Sequence, residues 1–207
     1  MYITIAEIII IFVLPVWLLH RGVIPVKYRL PVLVVFSLLI ASIIYVDQTS
    51  GMALGIRTDN IKSAIAPYII FTAVGAFALF ILARIVGYKI RNNLIKDPHF
   101  QGLFIPISVL QVFAYRSFLL PKLTEVFPSA VFIIVASALL FAYLHIIYPN
   151  RRINLPVTFA GGLWFAYLYY YYPNFYLMSI SHIILNPIAV MLGFVTFQPK
   201  DTKSAST

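Results

Sequence analysis

The sequence predicts an all-α fold: a polytopic membrane helix bundle of about seven transmembrane helices, amino terminus outside and carboxyl terminus cytoplasmic. Three observations carry this expectation. Of 207 residues, 62% are hydrophobic and only 10% charged, with a mean hydropathy of +0.95, far from the usage of soluble domains. Apolar stretches of about 17 to 24 residues recur along the chain, each long enough to cross a hydrocarbon core of roughly 30 Å as a helix. Lys and Arg gather in alternate loops. A transmembrane barrel does not fit, because its strands would alternate polar and apolar side chains over about ten residues.

In chain order the spans are expected at 2–19, 30–46, 64–87, 103–120, 127–148, 155–172 and 175–194. The first has no basic region before Ile3 and no small-residue cleavage site after Leu19, so it is expected to stay as a helix rather than leave as a signal peptide. The second and third are apolar without a diagnostic pattern. The fourth, fifth and seventh carry the polar residues at membrane depth, and the sixth contains Gly161 and Gly162. The tyrosines from Tyr167 to Tyr176 straddle the outer ends of spans six and seven and read as an interfacial aromatic belt. Residues 1–197 thus form a single transmembrane domain, and 198–207 are too polar for a core and read as a disordered cytoplasmic tail. No internal repeat is evident.

The net charge of +9 reports topology rather than a nucleic-acid surface. Eleven of the fifteen Lys and Arg fall at the ends of spans one, three and five, in the loops after them or in the tail: Arg21, Lys27, Arg29, Arg84, Lys89, Arg91, Lys96, Arg151, Arg152, Lys200 and Lys203. Positive loops stay in the cytoplasm, which sets the orientation. The expected partners are the lipid bilayer and a membrane protein or peptide. With short loops and no targeting signal, a bacterial or archaeal plasma membrane is the expected location. The absence of cysteine excludes disulfides, thiolate nucleophiles and cysteine metal ligands.

Polar side chains inside a bilayer are costly and mark functional sites. Span four places Gln111 near its middle and Arg116 five residues later. Span five has Phe141 and His145, and span seven His182 and Asn186, each pair on one helix face because residues four apart are neighbours. In this order the residues resemble the CPBP family of intramembrane proteases, which includes CAAX-processing endopeptidases and bacteriocin-processing or self-immunity proteins. The family's motifs are EExxxR, FxxxH and HxxxN or HxxxD on successive helices. Arg116 with the following Ser-Phe-Leu-Leu-Pro is similar to the family's "RGxLLP", with Ser117 for the glycine. Phe141 with His145, and His182 with Asn186, match the second and third motifs. The segment from Phe159 to Tyr169 looks like the family's glycine-containing helix. The resemblance covers about 101–193 and implies Gln111, Arg116, His145, His182 and Asn186 as the catalytic positions.

At one position this chain departs from the pattern. Gln111 and Val112 stand where the family has two glutamates. The resemblance implies that the first glutamate activates water as general base, while the histidines and asparagine polarise the carbonyl and hold its oxyanion. Glutamine can hydrogen-bond a water but cannot accept its proton. Loss of a general base typically costs about 10² to 10⁴ in rate. Glu7 is the acid within a span, and its expected depth, similar to that of Arg116, makes it a candidate partner for the guanidinium. No cofactor is expected. Zinc is the one to weigh, and His145, His182 and Asn186 offer two good ligands and one poor one where a catalytic site usually has three. His20 and His99 fall in basic loops. The span boundaries also place His145 and His182 at depths differing by about 10 Å, so a tilted or broken helix is expected, with Pro173, Pro187 and Gly161-Gly162 as breakers.

Three functions are consistent with these residues. One is a catalytically impaired or altered relative of CAAX-type endopeptidases that binds or acts on a membrane peptide or protein. Another is an active intramembrane endopeptidase using His and Asn without the glutamate pair. The third is a transporter or membrane-complex subunit.

Overall fold

A computed structural model describes residues 1–88 and 98–194. Helix α1 (Tyr2–Ile8), a π-helical segment (Ile9–Val13) and α2 (Leu14–His20) form one continuous rod. A 3-10 turn (Val26–Tyr28) enters α3 (Arg29–Val46), and α4 spans Ile61–Val86. A second composite rod joins α5 (Pro98–Val112), a π-helical segment (Phe113–Phe118) and α6 (Leu119–Thr124). Helix α7 (Ala130–Leu144) tightens into a 3-10 turn (His145–Ile147) before α8 (Arg151–Tyr171) and α9 (Phe175–Met191). No strand occurs among the described residues.

The described residues form seven rods, which overlap the expected spans in sequence. Five of them, Tyr2–His20, Val26–Val46, Ile61–Val86, Phe104–Thr124 and Ala130–Ile147, are long and apolar enough to cross a membrane. Helix α9 is apolar but only 17 residues long, and the hydropathy of α8 is diluted by Asn154, Pro156, two glycines and its tyrosines. The charged residues of the tail, and Lys89, Arg91 and Lys96, lie outside the described residues.

Both π-helical segments have a local cause. Each ends shortly before a proline, Pro15 in α2 and Pro121 in α6. A helical proline lacks the N–H that would bond four residues back, and its ring crowds that carbonyl, here Ile11 or Ser117. A wider turn just upstream relieves the conflict without ending the rod. Two other ends are capped conventionally. Gly87 closes α4 with φ +76°, its N–H bonded to the Arg84 carbonyl, and the Asn174 side chain accepts from the Leu177 N–H at 3.0 Å to start α9.

The distribution of polarity is that of a protein in lipid. Val35, Leu38, Ile69, Ile70, Phe77 and Ile85 on α3 and α4 are exposed, while Ser108, Arg116, Ser137, Asn154 and His182 are buried. Between such helices close approach replaces the hydrophobic drive. The broadest interface joins α7 and α8, where a Cβ on Gly162 would stand 3.1 Å from the Ala138 Cα. Helix α9 is wedged against α4 and α5.

One end of the bundle is latched. The Tyr169 hydroxyl donates to the Leu54 carbonyl at 2.6 Å, and the Ser117 hydroxyl, 2.9 Å away, donates to Tyr169, whose only proton is already used. Asn174 donates to the Arg57 carbonyl and to Asn60 Oδ1, and Phe175 N–H donates to the Gly55 carbonyl. Gly55 sits at φ +71°, and a Cβ there would overlap the Tyr169 hydroxyl. The loop between α3 and α4 is thereby bolted onto the α8–α9 turn. The aromatic belt needs correction accordingly: Tyr167, Tyr171 and Tyr176 are exposed as a belt requires, but Tyr169 points inward and is 2% exposed.

At the same end Lys122 Nζ lies 2.8 Å from Asp47, 3.0 Å from Glu7 and 3.9 Å from Glu125, and Thr4 donates to Glu125 at 2.7 Å. The expected pairing of Glu7 with Arg116 is therefore not formed. Lys122, one turn beyond the π segment, takes Glu7 instead because its long side chain reaches the α1 surface, whereas Arg116 points into the core. At the opposite end His20 meets Arg151, with 3.4 Å between Nδ1 and Nη2, and Arg29 lies over the Tyr148 ring.

Candidate functional site

The wedge of α9 between α4 and α5 brings three of the expected residues into direct hydrogen bonding. Gln111, on the last turn of α5, presents Oε1 to Asn186 Nδ2 at 3.1 Å and to His182 Nε2 at 3.3 Å. Asn186 Nδ2 also donates to Ser108 Oγ at 3.2 Å. With Gln111 Oε1 as acceptor, the His182 proton is on Nε2, and Nδ1 remains an acceptor that is buried and unpartnered among the described residues.

His145 belongs to the same neighbourhood through a ring rather than a hydrogen bond. The Phe141 ring centre lies 5.0 Å from that of His145 and 5.8 Å from that of His182. His145 Nδ1 donates to the Phe141 carbonyl at 2.9 Å, which the 3-10 turn leaves free of the α-helical ladder, so Nε2 is the unprotonated nitrogen. The expected break in a helix is not needed. Helix α8 runs unbroken through Gly161 and Gly162, and α9 through Pro187. The Phe141 ring contacts both imidazoles and so links them.

Arg116 stands behind this group. It is 1% exposed, donates from Nη1 to Ser137 Oγ at 2.7 Å, and places Cζ 5.1 Å from the Phe141 ring centre and 6.0 Å from that of Phe165. The Phe165 ring in turn lies 4.7 Å from His182. Val112, at the position of the family's second glutamate, is fully buried in an apolar cluster with Phe71, Phe165 and Leu185. No carboxylate among the described residues reaches the site: Glu7, Asp47 and Glu125 surround Lys122, and Asp59 pairs with Arg57.

A cavity of about 290 Å³ opens beside these residues, walled by α4, α7, α8 and α9. His145, Asn186 and Thr158 supply its polar atoms, while Phe71, Leu79, Trp164, Phe165 and Leu185 make it mainly apolar. A separate cavity of about 80 Å³, between α2 and α3, reaches Gln111. Among the described residues no three His, Cys, Asp or Glu side chains come together as candidate metal ligands. The His99 side chain is outside the described residues.

Ser108, Ser137 and Phe165 complete the site and are not among the residues picked out from the motifs. The first two had a signal. Ser137 lies four residues before Phe141, extending the Phe141–His145 face by one turn, and Ser108 lies three before Gln111. Phe165 has none beyond its place on the glycine-containing helix.

These features define a helical membrane protein whose polar site is buried between helices. Residues 99–188 match the Rce1-like family model, described as type II CAAX prenyl endopeptidase Rce1-like. That segment contains all five motif positions, and over it the chain is similar to the CPBP-type, CAAX-protease-like proteins. No match is found among curated proteins or among solved structures.

Proposed function

We propose that the chain is a catalytically impaired CPBP-type protein that holds a membrane peptide in the cavity between α4, α8 and α9 without cleaving it. The observation that carries this reading is the Gln111 amide, held by His182 and Asn186 at the position of the family's general base, with no carboxylate among the described residues near it. An amide fixed as acceptor toward two donors can orient a water but cannot take its proton. The mainly apolar wall around His145 and Asn186 suits an extended apolar chain with a few polar anchor points. The charge distribution supports an orientation with the basic end, around His20, Arg21, Arg29 and Arg151, in the cytoplasm of a bacterial or archaeal cell.

One observation favours the alternative of an active endopeptidase: His182 Nδ1 is an unoccupied acceptor beside the site and could serve as base. The two readings part in a crosslinking experiment. A photoreactive residue replaces Trp164 on the cavity wall, and a prenylated CAAX-type peptide, chosen from the family's description, is added to proteoliposomes. The adduct is expected to carry the intact peptide mass. A truncated adduct supports cleavage, and an adduct no stronger than one from exposed Ile70 on α4 removes the cavity as the binding place.

A further inference from the structure

Arg116 is the one buried guanidinium at the site, and its hydrogen-bonding capacity is largely unused. Ser137 takes one N–H of Nη1, while Nε and Nη2 are buried and have no hydrogen-bond partner among the described residues. Phe141 and Phe165 offer ring faces, which attract the cation without accepting those protons. Val112, one turn earlier, contributes no charge, and Glu7 is committed to Lys122. A planar cation with two parallel donors free is the complement of a carboxylate, which accepts both in a bidentate pair.

The position of these donors says where the acceptor comes from. The rings of Phe141 and Phe165 touch Arg116 on one side and line the 290 Å³ cavity on the other. A ligand in the cavity is thus separated from the guanidinium by the Phe141 and Phe165 side chains. We propose that Arg116 is a receptor for a carboxylate carried on an apolar body, bound through the cavity, which supplies in trans the negative charge that Val112 cannot. This rests on the cavity being a binding site, as proposed above, and names the chemistry of its ligand. The carboxylate comes either from a small organic acid or from an acidic side chain of a membrane peptide.

Thermal unfolding of the full-length protein in detergent, in a methanesulfonate buffer, tests this. Benzoate is expected to raise the midpoint by at least about 2 °C in a saturable manner, and benzamide, of the same shape without charge, is not. The variant Val112→Glu supplies the carboxylate in cis. It is expected to unfold at a higher temperature than the parent and to lose the benzoate response, which keeps the test independent of an Arg116 variant that fails to fold. A Leu-rich peptide with one Asp, compared with its Asn counterpart, assigns the source: a response to the Asp peptide at lower concentration than benzoate points to a peptide side chain, and the reverse to a small acid. Equal shifts with benzoate and benzamide, a chloride shift as large as that of benzoate, or a Val112→Glu protein that still responds would each overturn the proposal. Cleavage of a peptide by the parent protein would overturn the impaired-protease reading and leave this result standing.

Discussion

A single substitution in chemical type, amide for carboxylate at Gln111, changes what the site can do while leaving its hydrogen-bond pattern coherent. Gln111 Oε1 accepts from His182 and Asn186 as a carboxylate oxygen could. The difference is charge. In a bilayer a guanidinium costs about 2.5 to 3.5 kcal/mol on insertion scales, and Arg116 meets that cost with Ser137 and two aromatic faces rather than with an ion pair. The Ser117 departure from the family's glycine has an identifiable partner, since its hydroxyl bonds to Tyr169, which holds the α3–α4 loop. Tyr169→Phe leaves the Leu54 carbonyl and Ser117 hydroxyl without this partner and is expected to destabilise the protein by about 1 to 3 kcal/mol, read as a lower midpoint in thermal unfolding. An unchanged midpoint would show that the latch contributes nothing to stability.

At the scale of elements, two devices place the site. Wider turns stand just upstream of Pro15 and Pro121, where they ease the clash of the proline ring with the preceding turn, and the second of these turns carries Arg116, which is buried. Close contact between α7 and α8 sets Phe141 and Phe165 against Arg116 and His182. Gly162→Val puts side-chain atoms where the Ala138 backbone stands, 3.1 Å from a Cβ, so the two helices must separate. The expected loss is about 1 to 3 kcal/mol of stability, measured by thermal unfolding, together with weaker photocrosslinking from the cavity wall. Gly161, its neighbour, has open space around it, and Gly161→Ala serves as the tolerated control.

Much of this was legible in the residues. Helix type and approximate extent follow from apolar length, because a bilayer leaves the backbone no other way to satisfy its polar groups. The neighbours within His182–Asn186 and Phe141–His145 follow from helical spacing. Which helix meets which does not, since lipid-facing and helix-facing apolar side chains look alike in a sequence. That is why the bridging of the two histidines by Phe141, the inward turn of Tyr169 and the choice of Lys122 over Arg116 by Glu7 emerged only from packing. The π-helical segments were not legible: they precede Pro15 and Pro121, but Pro67, Pro106, Pro156 and Pro187 sit inside α-helices without one.

For the molecule as a whole, the helical bundle sets His145 and Asn186 on the wall of a cavity, with His182 hydrogen-bonded behind them to Gln111, while the acids among the described residues are gathered elsewhere. Three of the described carboxylates surround Lys122 at the latched end and brace α1, α3 and α6, so that among the described residues no proton acceptor of carboxylate type stands at the site. The most direct measurement is turnover of a quenched prenylated peptide in proteoliposomes, comparing the parent protein with Gln111→Glu/Val112→Glu. The parent is expected to give no product above protein-free vesicles, and the double variant a rate higher by about 10² or more, the lower range for a restored general base. Product formed by the parent and abolished by His182→Ala, with no gain in the double variant, would contradict the impaired-protease reading and assign the base to histidine.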